Sequence, residues 1–202
     1  MRDPSEAEDK AQIQRFLSGD EGGYEVLFDK YREKVYRVAH RFLRNKEDAL
    51  EVTQEVFLRV FQSLAKFKTE SKFFTWLYRI TVNRCIDFSR SKKAKPTTEM
   101  EKSAIESIDT ASAGRTPMDP VARAQEHELE AKLAEAVARL SDNHRTVFLL
   151  HAKENLSYKE IAGVAECSLG TVMSRLFYAR KKLQQHLEDL GVKAPGSSSK
   201  KE

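Results

Sequence analysis

The sequence predicts an all-α protein: two small helical domains joined by a flexible linker, the second a four-helix domain with a helix-turn-helix. Three observations lead there. Apolar residues recur at three- and four-residue spacings through both halves of the chain. No stretch alternates with a clean period of two, and hairpin dipeptides are scarce. Residues 96–118, PTTEMEKSAIESIDTASAGRTPM, are polar, contain Pro, Ser, Thr and Gly, and lack a strong apolar period. A stretch of that length is unusual inside one compact domain and reads as a linker, with room for a short helix near Met100–Ile108. The expected organisation is a first domain over 10–95, the linker over 96–118, a second domain over 119–190 and a Gly/Ser/Lys-rich disordered tail over 191–202. A chain of 202 residues suits two small domains.

In the first half, a short helix around Ala11–Leu17 precedes three longer ones. Tyr24, Leu27, Phe28, Tyr31, Val35, Ala39, Phe42 and Leu43 mark the inner face of the next. Asn45 is placed to cap the following helix, with Asp48 at its third position. Ala49, Val52, Val56, Phe57, Val60, Phe61 and Leu64 form its apolar face. Ser71 is a candidate cap for another, with Phe74, Leu77, Ile80, Thr81, Cys85 and Phe88 turned inward.

In the second half, Asp119–Pro120 is a cap followed by Pro at the first helical position, and Leu129, Leu133, Ala136, Val137 and Leu140 continue that helix. Ser141 is expected to cap a helix holding Val147, Phe148 and Leu150. Ser157-Tyr158-Lys159-Glu160 is a capping box for a short helix with Ile161, Ala162 and Ala165 inward, ending near Glu166-Cys167-Ser168. Ser168 then caps a long helix through Thr171, Val172, Leu176, Ala179 and Leu183. A short helix, a tight turn and a longer helix make the helix-turn-helix layout, whose second helix enters a DNA major groove.

Composition excludes several classes. With 40% hydrophobic and 33% charged residues, 8 Gly and 5 Pro, the chain is neither collagen-like nor wholly disordered. Two cysteines without a C-x-x-C cannot staple a secreted scaffold, and five scattered His give no zinc-ligand cluster. No metal and no cofactor is expected. The first 23 residues hold three basic and six acidic groups and no apolar run, so they do not read as a signal peptide, and no stretch reaches the ~20 apolar residues of a membrane span. The expectation is a soluble cytoplasmic protein. The net charge of +4 is unevenly spread: residues 24–95 hold 17 basic and 9 acidic groups, a net of +8. A basic first half is a surface for a polyanion.

Two segments carry chemistry. Phe73, Phe74, Trp76 and Tyr78 fall within six residues, followed by Arg79, Arg84, Arg90, Lys92, Lys93 and Lys95 against one acid, Asp87. Rings beside cations suit unstacked single-stranded nucleic acid, the rings stacking on bases and the cations meeting phosphates. On composition alone, aromatics in a core beside a solvated basic face are the favoured reading of the segment. The last long helix carries Arg175, Arg180, Lys181 and Lys182 and no acid between Ser168 and Gln185. Thr171, Ser174, Arg175 and Tyr178 remain available for bases or phosphates. Arg175, in the first half of that helix, is the expected base reader and Arg180 the expected backbone contact.

Taken together, the blocks DALEVTQEVFL from Asp48, FFTWLYRITVNR from Phe73, and LSYKEIAG from Leu156 continuing into CSLGTVMSRLFYAR resemble the bacterial sigma factors, in particular the small two-domain extracytoplasmic-function (ECF) group. The resemblance spans about residues 10–190. It implies an RNA polymerase sigma subunit. The helix from Asp48 would dock on the clamp coiled coil of core polymerase, with Asp48, Glu51, Gln54, Glu55 and Leu58 as contacts. The segment from Lys72 would recognise and melt the minus-ten element, with Lys72, Phe73, Tyr78, Arg79, Asn83, Arg84 and Arg90 at the DNA. Trp76 fits a packed anchor better than a base wedge. The helix-turn-helix would read the minus-thirty-five duplex through Ser168, Thr171, Met173, Ser174, Arg175, Tyr178, Arg180 and Lys181. Met173 stands where some members have a basic residue, and a thioether cannot make the bidentate bonds of Arg to guanine. The implied partners are core RNA polymerase, through its β′ and β subunits, promoter DNA and an anti-sigma factor.

No nucleophile, base and orienter converge in the sequence, so an enzyme is not expected. Two rivals stay open on the sequence: a conventional helix-turn-helix regulator acting without replacing the sigma subunit, and a helical transcription adaptor.

Overall fold

The computed structural model describes residues 4–67, 71–94 and 120–192. The expected linker over 96–118, the cap at Asp119 and the tail beyond Val192 lie outside the described residues. Among those described, every regular element is helical, in two compact units.

The first unit is built from α1 (Pro4–Leu17), α2 (Gly22–Leu43), α3 (Lys46–Ser63) and α4 (Phe73–Ala94), with a single 3₁₀ turn at Leu64–Lys66. α1 starts well before the expected Ala11, because Asp9 anchors its first half. The Asp9 carboxylate is buried and accepts from the Tyr31 hydroxyl and the Lys30 ammonium, both at 2.6 Å. Burial and this carboxylate push the Tyr31 phenol well above its usual range. Gly23 allows the close approach of α1 and α2, since a Cβ there would collide with the Gln12 carbonyl oxygen.

Asn45 caps α3 as its sequence position requires, its side chain accepting from Asp48 N–H at 2.8 Å. Ala49, Val52, Val56, Phe57, Val60 and Leu64 are buried, together with Leu27, Tyr31, Val35, Val38, Ala39 and Phe42 of α2. Phe61 differs from expectation: it is 40% exposed and packs edge-on against Phe16 and Tyr24 at the rim.

On α4 the inner face is rotated from the expected one. Phe73, Leu77, Tyr78, Thr81, Val82 and Cys85 are buried, while Phe74, Ile80 and Phe88 are half-buried. The first full helical bond is Trp76 N–H to the Lys72 carbonyl, so Lys72 rather than Ser71 takes the capping position. Phe73, the first residue of the helix, lies in the core.

The second unit is built from α5 (Pro120–Ala138), α6 (Asp142–Ala152), α7 (Tyr158–Val164) and α8 (Leu169–Asp189). Its core joins Ala136, Leu140, Val147, Leu150, Ile161, Val172, Leu176 and Ala179. Leu129, expected inward, is 50% exposed. Ser141 holds the cap position of α6, but its hydroxyl meets His144 Nδ1 at 3.0 Å instead of a backbone N–H.

Candidate nucleic-acid interface

The five residues expected to dock polymerase divide between two faces of α3. Glu51, Gln54 and Leu58 are exposed, Leu58 at 60%. Asp48 and Glu55 turn toward α4. Asp48 pairs with Lys92 at 3.0 Å, and Glu55 receives both Nε and Nη2 of Arg84, the latter at 2.9 Å. Leu50 and the rim residue Phe61 extend the open face, lying in line with Gln54 and Leu58 at helical spacing. The sequence reading missed Leu50, although its four-residue spacing from Gln54 was visible.

The residues expected at the minus-ten strand also separate. Trp76, Arg79, Ile80, Asn83, Ile86, Asp87 and Arg90 of α4 face an open groove of about 650 Å³, whose other wall is Arg59, Ser63 and Lys66. Four cations line it against the one acid, Asp87. The Trp76 ring packs at a tilt against Phe67, at 5.1 Å, and Phe73, at 5.8 Å, which supports its reading as an anchor. Phe73 and Tyr78 are corrected. They are 3% and 5% exposed, so neither offers a ring face to a base. Burial raises the Tyr78 phenol above its ordinary pKa, as expected for a ring end in the core. Arg84, bound to Glu55, is not among the groove's lining residues. Lys72 is half-buried with its ammonium 5.9 Å from the Phe74 ring. Arg59, Ser63 and Lys66 were absent from the sequence reading, because α3 carried only a docking assignment.

In the second unit the helix-turn-helix is built as its residues dictate. Ser157 and Glu160 cap one another reciprocally: Ser157 N–H donates to the Glu160 carboxylate at 3.0 Å, and Glu160 N–H to the Ser157 hydroxyl at 3.3 Å. α7 ends with Glu166 left-handed at φ 47° and Cys167 N–H donating to the Ala162 carbonyl. Ser168 caps α8 by accepting from Thr171 N–H at 3.1 Å. Val172, Leu176, Ala179 and Leu183 face inward. Met173, Ser174, Tyr178, Arg180 and Lys181 are exposed, as is Phe177 at 64%, which the sequence reading left out. Thr171 and Arg175 are half-buried. Burial, with the charges of Lys182 and Arg175, lowers the His144 pKa.

Among the described residues no group of three or more His, Cys, Asp and Glu could hold a metal ion, and no helix is long and apolar enough to cross a membrane.

The comparisons agree with this geometry. Residues 27–95 match the Sigma-70 region 2 family and residues 130–183 the Sigma-70 region 4 family. The chain is 32% identical to the ECF RNA polymerase sigma factor SigW of Bacillus subtilis, over 90% of this chain and 97% of that one. It is 31% identical to the ECF RNA polymerase sigma-E factor of Haemophilus influenzae, over 90% and 96%. The solved structure of CnrH, in complex with the cytosolic domain of CnrY, superposes with a TM-score of 0.65 at 22% identity, covering 90% of this chain and 98% of that one.

The chain belongs to the ECF group of RNA polymerase sigma factors. It is a non-catalytic initiation factor that directs core RNA polymerase to specific promoters.

Proposed function

We propose a division of labour among three surfaces. The open face of α3, with Glu51, Gln54 and Leu58 joined by Leu50 and Phe61, docks core polymerase. A mixed acidic and apolar strip suits a protein partner rather than DNA. The α4 groove captures the non-template strand of the melted minus-ten element, with Asn83 for a base edge and Arg59, Lys66, Arg79 and Arg90 for phosphates. α8 binds the minus-thirty-five duplex. The observation that carries the reading is the groove itself, which brings cations from α3 and α4 together along one open channel.

The mechanism is differential binding. Opening a promoter costs unpairing and unstacking, a few kcal/mol for each extruded base in comparable systems. A surface that binds only the separated strand offsets part of that cost without ATP. An anti-sigma factor that covers the α3 face or the α4 groove would silence the protein. The sigma factor RpoE of Bartonella quintana, solved in complex with the anti-sigma factor NepR, offers the precedent for such a partner.

Transcription by core polymerase with this protein on a randomised promoter library tests the proposal. The reading expects enrichment of two separated elements, with the upstream one lost on α8 substitution and the downstream one lost on groove substitution. Enrichment of a single element would contradict it.

A further inference from the structure

α8 presents an unusual outer surface for a helix bound to a polyanion. Phe177 and Met173, four residues apart, are 64% and 53% exposed, and Tyr178 is 52% exposed. The Phe177 ring meets only the neighbouring Tyr178 ring among the described aromatics, at 5.3 Å and nearly perpendicular. A surface helix ordinarily turns its polar side outward. Cations surround this ridge: Arg180 and Lys181 share an open groove with Met173 and Phe177, and no carboxylate occurs between Ser168 and Gln185. An apolar ridge bordered by positive charge complements a polyanion with apolar features better than a second protein surface.

The early cation of this helix is placed elsewhere. Arg175 is the one cation in the first two turns after Ser168, and its side chain is half-buried while Met173 and Phe177 stand exposed. The exposed ridge, rather than this guanidinium, occupies the outward side of the segment that enters a major groove first. The apolar feature of the major groove is the thymine C5-methyl group.

We infer that Met173 and Phe177 read thymine C5-methyl groups in the upstream promoter duplex. The inference rests on the reading of α8 as the duplex-binding helix and specifies what it recognises. Guanine readout by Arg is replaced at these positions by apolar contact, while the Ser174 hydroxyl between them donates to the Thr171 carbonyl at 3.0 Å. Arg175, Arg180 and Lys181 then hold the backbone.

Deoxyuridine, which lacks only the methyl, provides the test. The full chain is assembled with core polymerase and its preferred upstream element selected from a library. Each thymine of that element is replaced in turn by deoxyuridine, and holoenzyme affinity is measured for wild type, Met173→Ala, Phe177→Ala and Phe177→Leu. Wild type should lose about fourfold at one or two thymines, the value of one buried methyl-sized group. Each Ala variant should be insensitive at its own thymine, and Phe177→Leu should keep most of the sensitivity. Both side chains are exposed, so unchanged helicity is expected and is checked alongside. No effect of deoxyuridine at any position, or equal effects in wild type and both Ala variants, overturns the inference alone. Holoenzyme binding that ignores the upstream element altogether overturns the assignment of α8 as well.

Discussion

The Arg84 guanidinium spans α4 to α3 with two of its nitrogens on the Glu55 carboxylate. The carboxylate raises the Arg84 pKa above its already high ordinary value. The sequence had placed these two residues on different partners, Glu55 on polymerase and Arg84 on DNA. The pair instead ties together the two helices that carry those surfaces. A bidentate Arg–carboxylate pair is the stronger kind, and partial exposure moderates it. Arg84→Ala and Glu55→Gln should each destabilise the chain in urea unfolding, with a coupling of roughly 0.5–1.5 kcal/mol in the double-mutant cycle. Strictly additive effects would show that the pair contributes nothing.

Docking is better probed on the open face of α3. Glu51→Arg and Leu58→Arg should each weaken binding to core polymerase while helicity and unfolding midpoint stay near wild type. Leu58 is 60% exposed, so its replacement removes little from the core. A titration of labelled core polymerase reads the effect. Wild-type affinity in the Glu51→Arg, Leu58→Arg double variant would assign docking to another surface.

The division of Asp48 and Glu55 from Glu51, Gln54 and Leu58 shows what the sequence could and could not reveal. Helix periodicity placed most of the core of α2, α3 and α8, including Val35, Val52, Val56, Val172 and Leu176, but on α2 it missed Val38 and counted Tyr24, Phe28 and Leu43, which are half-buried. The caps at Asn45, Ser157 and Ser168 were legible because each is a local contact within three residues. The inner face of α4 was not. Its sequence is aromatic or aliphatic on every side near the start, so apolarity alone cannot orient it; packing against α2 and α3 does. The α4 groove was half legible: one wall lies in a contiguous basic segment, while Arg59, Ser63 and Lys66 come from the end of α3 and the 3₁₀ turn after it. Phe177 was passed over because an exposed aromatic on a helix resembles a core residue until the fold fixes the face.

The α7 start provides a stability test. Ser157→Ala removes the hydroxyl that accepts from Glu160 N–H and should cost about 1 kcal/mol. Glu160→Ala should cost a similar amount, with the double variant less than additive because the two caps are reciprocal. Unfolding in urea measures all three. Full additivity would mean that the hydroxyl and carboxylate act separately.

His144 gives a pH dependence of known sign. Burial, then the charges of Lys182 and Arg175, holds its folded pKa below the ordinary value of about 6.5. Between those two values the unfolded chain binds more protons than the folded one, so stability falls as pH drops through that window. Thermal melting between pH 7.5 and 5.5 should show a loss that is smaller in His144→Gln than in wild type. An identical pH profile in the variant would remove His144 from the account.

The central claim is capture of the separated strand by the α4 groove. Open-complex formation by holoenzyme is measured on a duplex promoter and on the same promoter pre-melted across the minus-ten element, for wild type, Asn83→Ala, and Arg59→Ala with Arg90→Ala. The account predicts that both variants lose more on the duplex than on the pre-melted template, whose unpairing cost is already met. Equal losses on the two templates, or a loss confined to the pre-melted one, would contradict it.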